Sequence, residues 1–357
     1  MAVPPGAPVS PLFSIRETPH AGRAVFATTS IPEGTLLYRA DDLTLSVLLR
    51  EYRREVCGQC FAYEYGRDLQ IRDKIVGFAF CSPQCRDMWT EEHGPVGVQA
   101  WAAVEKLVKG RSKEDSELVD SRLPRPTKKE IKAAWDTVAA QAGLIRMARQ
   151  GERDANVPSG ATSTEGVQVT KQHRKALQKA LLQPISPDIM SFCVSGILWL
   201  YQKPGEKARL LALASDETPY HNNDDLQAFV RTYLHLLAVL PLPLMPLVTP
   251  ETLFTLSQRD SHNSFGIRSL EDDGSEFFGY GCWPAASYFN HSCGPNVEKR
   301  REGRIWEFRA GQAIDQGEEL NITYLSGEER KLSRGKRMLV LKKNWGFDCA
   351  CARCEET

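Results

Sequence analysis

Two close pairs of cysteines, Cys57-x2-Cys60 and Cys81-x3-Cys85, sit in a stretch with too few apolar residues to build a core unaided. Four thiolates in this arrangement are what a tetrahedral zinc requires, with Zn–S distances of about 2.3 Å. Buried structural cysteines or a redox Cys-x-x-Cys are the other readings, and the presence of a second pair argues against both. A further cluster, Cys349-x-Cys351-x2-Cys354, supplies only three thiolates. Its best fourth donor is Cys293, which lies in the same β-rich region; Cys193 and Cys282 are expected to pack in apolar surroundings. Two zinc ions are therefore expected, and the second would pin the tail beside Asn290-His291.

The chain has 357 residues, enough for two or three coupled units. Lys+Arg and Asp+Glu are both 45, so no net charge draws the protein to nucleic acid or to an anionic membrane. The basic runs Lys299-Arg300-Arg301 and Arg330 to Lys343 read as solvated faces, or as contacts for an acidic partner. Met1 to Pro11 lacks the charge and apolar run of a secretory signal. The greasiest stretch, Leu236 to Val248, is broken by Pro241, Pro243 and Pro246, so no membrane span is expected. An intracellular, reducing location follows, with nucleus and cytoplasm both compatible. Oligomeric state leaves no trace in the sequence.

Short β-like runs, Ala24 to Ala27 and Thr35 to Tyr38, are separated by turn residues and predict a small β-meander between Phe13 and Leu45. Apolar residues at helical spacing (Ile131, Ala134, Trp135, Val138, Leu144) predict helix between Trp101 and about Arg149. Gly151 to Thr170 reads as a mobile loop. Helix resumes at Lys171, from Pro187 through Trp199, and from Asp224 through Val239. After Pro250 the chain becomes β-rich, with Ile305 to Phe308 and Leu320 to Tyr324 as strands.

Four pieces in order resemble the SMYD-type methyltransferases, in which a SET domain is split by a MYND-like zinc module. They are His20-Ala-Gly-Arg-Ala-Val-Phe-Ala27, the cysteine module, Asn290-His291-Ser292-Cys293-x-Pro295-Asn296, and Gly317-Glu-Glu-Leu-x-Ile-x-Tyr324 with the cysteine tail. The resemblance implies an α+β fold: a β-rich SET domain with a knot-like crossing, interrupted by the zinc module and a helical insert, and closed by a post-SET zinc site. The implied segments are 1–56 (N-terminal SET part), 57–93 (single-zinc module), 94–249 (helical insert), 250–345 (core SET domain) and 346–357 (post-SET tail). It also implies methyl transfer from S-adenosylmethionine to a lysine of a protein or peptide substrate. By the same resemblance Gly22, Arg23, Asn263, Ser287, Asn290, His291, Trp345 and Phe347 would contact the donor, and Tyr324 would lie next to the transferring methyl as the catalytic residue. Gly22 would let the backbone approach the ligand.

The sequence also departs from the family. A full MYND module binds a second zinc, whereas here His93 stands without partner cysteines and reads as a surface or packing residue. Ala24 replaces a second family glycine, and the chain ends shortly after Cys354 without the helical C-terminal domain of many relatives. These departures give weight to an alternative, a catalytically silent SET and zinc module that recruits protein partners. A zinc-finger nucleic-acid binder lacks the basic balance it would need.

Overall fold

The computed structural model describes residues 4–18, 21–109, 123–155, 168–270 and 276–355. By its contacts the chain forms two units, one of Met1–Ser46, Gly205–Ser215 and Arg259–Thr357, the other of Val47–Pro204 and Asp216–Gln258. The zinc module and most of the helical insert thus share a unit, while Gly205–Ser215 joins the first.

The first unit begins with β1 (Phe13–Thr18), β2 (Gly22–Ala27) and β3 (Leu36–Ala40), strands where a meander was expected, but only β1 and β2 pair as a hairpin and β3 joins a different sheet. β4 (Leu45–Leu48) starts at its border. The second unit follows with β5 (Ile71–Asp73) and β6 (Phe78–Phe80), an antiparallel pair, and then α1 (Pro83–Val108). α1 starts well before the Trp101 expected from periodicity. Ser82 caps it by accepting from the Cys85 amide and Pro83 occupies its first turn, although Gly94 breaks the helical backbone within it.

α2 (Lys128–Thr137) opens with a Thr127/Glu130 capping box, and α3 (Ala139–Ala155) runs further than expected, into the anticipated loop. Most of that loop, 156–167, lies outside the described residues. α4 (Lys171–Leu181) and α5 (Pro187–Gln202) follow, and α6 (Lys207–Leu211) returns to the first unit. α7 (Asn223–Val239) completes the helical core, where Met190, Phe192, Ile197, Leu236 and Leu237 are buried. No helix among the described residues is long and apolar enough to cross a membrane.

The chain after Pro250 opens not on strand but on α8 (Pro250–Asn263), with Pro250 at its start. Pro at the first helical position leaves no unmet donor and presets φ, a signal that reading Pro250 as a strand-side boundary missed. Then come β7 (Ser264–Arg268), β8 (Phe277–Cys282), β9 (Val297–Glu302), β10 (Ile305–Ala310) and β11 (Glu319–Leu320). The short helices α9 (Gly327–Arg330) and α11 (Ala352–Glu355) flank α10 (Arg334–Trp345), which ends on left-handed Gly346. Beside the β5-β6 pair, the described residues form three sheets of three strands, ordered β1-β2-β11, β3-β10-β9 and β4-β8-β7. The run Leu320 to Tyr324 is strand only at its start; beyond it, His291 and Ile322 form a parallel bridge.

Strand alternation corrects the reading of the basic run at 299–301. Glu298 and Arg300 point to solvent, whereas Lys299 is half-buried and Arg301 is buried, its guanidinium donating to the carbonyls of Gly303 and Arg268. The basic residues at 330–343 form a solvated face as expected, with one exception: Arg337 lies buried in α10.

Candidate active site and zinc centres

Cys57, Cys60, Cys81 and Cys85 bring their four sulfurs within 4.8 Å of one another, and Cys293, Cys349, Cys351 and Cys354 do the same. Four sulfurs at 2.3 Å from one tetrahedral ion stand about 3.8 Å apart. The observed separations bracket that value: 3.5 Å for Cys60–Cys81 and Cys81–Cys85, 4.0 Å for Cys293–Cys349 and 3.6 Å for Cys293–Cys354. Donor type, number and spacing all fit zinc at both places. Cys193 and Cys282 belong to neither cluster, and burial pushes both thiols well above their ordinary range. His93 stacks on Trp89 at 4.0 Å and takes part in no metal-ligand group among the described residues.

The tail site has a built-in counter-charge. Four thiolates around a divalent ion leave net negative charge in a buried place, and the buried Arg337 answers it, with Nε 3.4 Å from Cys293 Sγ and Nη2 3.8 Å from Cys354 Sγ. The Cys293 amide also donates to Cys351 Sγ at 3.3 Å. Arg353 ties the tail down again by donating to the Cys293 carbonyl at 2.8 Å.

This anchored tail meets Tyr324. The Tyr324 ring centre lies 5.5 Å from that of Trp345, 6.3 Å from Phe347 and 5.3 Å from His291. Its hydroxyl donates to the Phe289 carbonyl at 3.1 Å, and its amide donates to His291 Nδ1 at 3.0 Å. Because Nδ1 accepts, the imidazole proton resides on Nε2, which faces Cys293 Sγ at 3.4 Å. Burial, aided by the charges of Lys299 and Arg337, holds the imidazole down at about 4, so it is neutral. Burial and then Glu319 push the Tyr324 phenol well above its ordinary range, so the hydroxyl keeps its proton and acts as a donor.

Asn290 donates through Nδ2 to the Arg23 carbonyl and to Glu319 Oε1, both at 3.2 Å. Arg23 donates to the Tyr288 hydroxyl at 2.9 Å, lies over that ring at 4.9 Å, and also donates to the Ala212 carbonyl. Ser287 donates to the carbonyl of Asn263 at 3.1 Å, and Asn263 donates to Ala214 at 3.0 Å. Hydrogen bonds, ring contacts and chain neighbours therefore join all nine residues singled out in the sequence into one network. Gly22 belongs to it with a conformational need of its own. A Cβ there would meet nothing within 4 Å, but its φ of +65° is left-handed and favours glycine.

Several participants escaped the sequence reading. Glu319 was visible inside a motif but had no assigned partner. Asn296 and Asn321 exchange amide contacts across the site, Asn321 N to Asn296 Oδ1 at 3.0 Å and Asn296 N to Asn321 Oδ1 at 3.3 Å. The carbonyls of Ala212, Leu213 and Ala214, accepting from Arg23, Arg259 and Asn263, come from a segment that no local signal connects with the site.

The profile of the SET domain family matches residues 22–325. The chain belongs to the SET-domain family. The α+β SET architecture with two thiol clusters is thus the one anticipated from its motifs. This SET protein is 26% identical over 379 residues to "Potential protein lysine methyltransferase SET6" of Saccharomyces cerevisiae, covering 97% of this chain and 96% of the yeast protein. It is 36% identical over 93 residues to "Histone-lysine N-methyltransferase SMYD3" of Mus musculus, or 26% of this chain and 20% of the mouse protein. A stretch of 92 residues is 34% identical to "Protein-lysine N-trimethyltransferase SMYD5" of Gallus gallus, 24% of this chain and 22% of that protein. A crystal structure of the SET domain of LSMT bound to lysine and AdoHcy aligns at 13% identity with a TM-score of 0.29, over 96% of this chain and 54% of that one.

Proposed function

We propose that this SET protein is a protein-lysine N-methyltransferase that uses S-adenosylmethionine and reacts at Tyr324. The observation that carries the reading is the Tyr324 cluster: a tyrosine whose hydroxyl, kept protonated, is held by the Phe289 carbonyl, whose amide is held by His291, and whose ring is walled by Trp345 and Phe347. The donor set suits an amino-acid nucleoside. Arg23 offers a cation for a carboxylate, with three of its five N–H groups left after Tyr288 and Ala212 are served. Asn263, Ser287 and Asn290 offer amide and hydroxyl groups, and Trp345 and Phe347 offer aromatic faces for a base.

S-adenosylmethionine, when bound, supplies an electrophilic methyl group on a positive sulfur. The chain's own residues do the rest. A target lysine has a pKa near 10.4 and must lose its proton before attack. Exclusion of water by the rings of Tyr324, Trp345 and Phe347, together with the positive sulfur of the bound donor, disfavours the charged amine and so lowers that value. The neutral Tyr324 hydroxyl cannot serve as a phenolate base; it orients, which is the contribution expected where catalysis rests on alignment. Thiolate zinc sites suit a reducing compartment, and we place the activity in the nucleus or cytoplasm.

Calorimetric titration of zinc-replete protein with S-adenosylmethionine tests the reading. Micromolar binding that weakens at least tenfold in Asn290→Ala is expected. Folded protein carrying two zincs that binds no donor would instead support a silent module that recruits protein partners.

A further inference from the structure

The run Gly317-Glu318-Glu319-Leu320 sets two carboxylates side by side, and the chain sends them to different places. Glu318 is exposed and serves its own turn, accepting from the Asp315 amide at 2.8 Å. Glu319 is half-buried, and its Oε1 accepts from Asn290 Nδ2 at 3.2 Å. The Glu319 carbonyl accepts from Asn296 Nδ2 at 2.9 Å, which fixes β11 at this point. Among the described residues, no cation pairs with the Glu319 carboxylate. One strand thus holds Asn290 twice, since the Ile322 amide donates to the Asn290 carbonyl at 2.9 Å.

These partners dictate which way the Asn290 amide faces. The Arg23 carbonyl and the Glu319 carboxylate both accept, so only Nδ2 can meet them, and its two protons are then both engaged. Oδ1 is left as a spare acceptor. It has no hydrogen-bond partner among the described residues, and Asn290 is only half-buried, so a ligand N–H can reach it. A carboxylate behind an amide NH2 also polarises the group and strengthens its oxygen as an acceptor. The same carboxylate is felt at Tyr324, where it helps the hydroxyl keep its proton. The charge of Glu319 therefore acts both at Asn290 and at the reacting residue.

We propose that Glu319 is a positioning residue that favours the charged donor over its demethylated product; this rests on the methyltransferase reading above. It acts through Asn290, whose Oδ1 it leaves facing away as an acceptor for the ammonium of S-adenosylmethionine. It also acts through space, by attracting the positive sulfur. S-adenosylhomocysteine carries the same ammonium and carboxylate but a neutral sulfur, so the first effect serves both compounds and only the second tells them apart. Once the methyl has left, that part of the attraction is gone, and the product is held less firmly than the donor was.

Calorimetry on the full zinc-loaded chain, with S-adenosylmethionine and S-adenosylhomocysteine titrated separately, tests both effects. Glu319→Gln keeps an oxygen for Asn290 and removes the charge. It should weaken S-adenosylmethionine at least about threefold and leave S-adenosylhomocysteine within about twofold. Glu319→Ala removes the oxygen as well, and should weaken S-adenosylhomocysteine at least about threefold; in an Asn290→Ala background the same change should move it by less than about twofold, as for residues that act through one another. Two bound zincs and a wild-type melting temperature identify folded variants; if Glu319→Ala is not folded, Glu319→Gln decides by the ratio of the two affinities. An unchanged ratio in Glu319→Gln, or a Glu319→Ala effect as large without the Asn290 amide as with it, overturns the proposal. Folded wild-type protein that binds neither compound sinks the methyltransferase reading itself, and this inference with it.

Discussion

Tyr324 joins three separate parts of the sequence. Its hydroxyl reaches the Phe289 carbonyl, its amide reaches His291, and its ring reaches Trp345 and Phe347. Removing the hydroxyl leaves the amide and ring contacts in place. Tyr324→Phe should therefore lower turnover on a lysine peptide by at least about 100-fold while donor affinity stays within about twofold, as steady-state rates and calorimetry on one preparation would establish. Asp42 makes a different prediction. It accepts from the Ala285 amide at 2.9 Å, its other oxygen is buried with no hydrogen-bond partner among the described residues, and burial raises its carboxyl to about 6. The folded chain then holds a proton that the unfolded chain has released, so stability falls as pH rises from about 4 to about 6. Asp42→Asn should stabilise the protein at pH 8 by on the order of 2 kcal/mol and change little at pH 4, measured by denaturant melts at both. The identities of Tyr324, Asn290, His291 and the eight cysteines were legible because each sits in a short motif. Asp42 was not, because its burial depends on residues some 240 positions away.

Among the elements, α10 shows best how local and distant signals diverge. A sequence rich in Lys and Arg reads as a wet face, and most of it is, yet one turn of the helix directs Arg337 into the tail thiolates. Nothing in the period of the helix distinguishes Arg337 from its neighbours; only the partner does. Groups that hydrogen-bond to a metal's ligands typically change its affinity by about 10–100-fold. Arg337→Met should weaken zinc at the tail site by about tenfold, read by competition with a chelator of known affinity. Gly346, which ends α10 at φ +76° immediately before Phe347, was equally silent. The start of α8 at Pro250 and the early start of α1 at Pro83 share one signal, a first-turn proline, which the sequence reading used at Pro187 but not at these two positions. The strand runs at 24–27, 35–38 and 305–308 were legible from alternation, but not that β2 and β3 part into different sheets, and which basic residues of β9 point inward became clear only once its register with β10 was known.

For the whole molecule, the two thiol clusters belong to different units. Their losses should therefore differ in kind. Cys351→Ser should release one zinc and abolish donor binding, because the tail carries Trp345 and Phe347 to Tyr324. Cys81→Ser should also release one zinc and destabilise its own unit, yet leave donor affinity within a few-fold. Elemental analysis beside calorimetry separates the two; equal loss of donor binding in both would show that the module's zinc also supports the site.

The interleaving of the two units along the chain bears on how the protein is made. The unit that holds Tyr324 draws on Met1–Ser46, Gly205–Ser215 and Arg259–Thr357, and β2 cannot find β11 until the last of these has left the ribosome. The first strands must wait, unpaired along one edge, through the synthesis of the whole intervening helical block. Contacts of such sequence separation close slowly and expose strand edges meanwhile. Synthesis should accordingly be sensitive to chaperone supply, and neither unit can be obtained by cutting the gene at a single place.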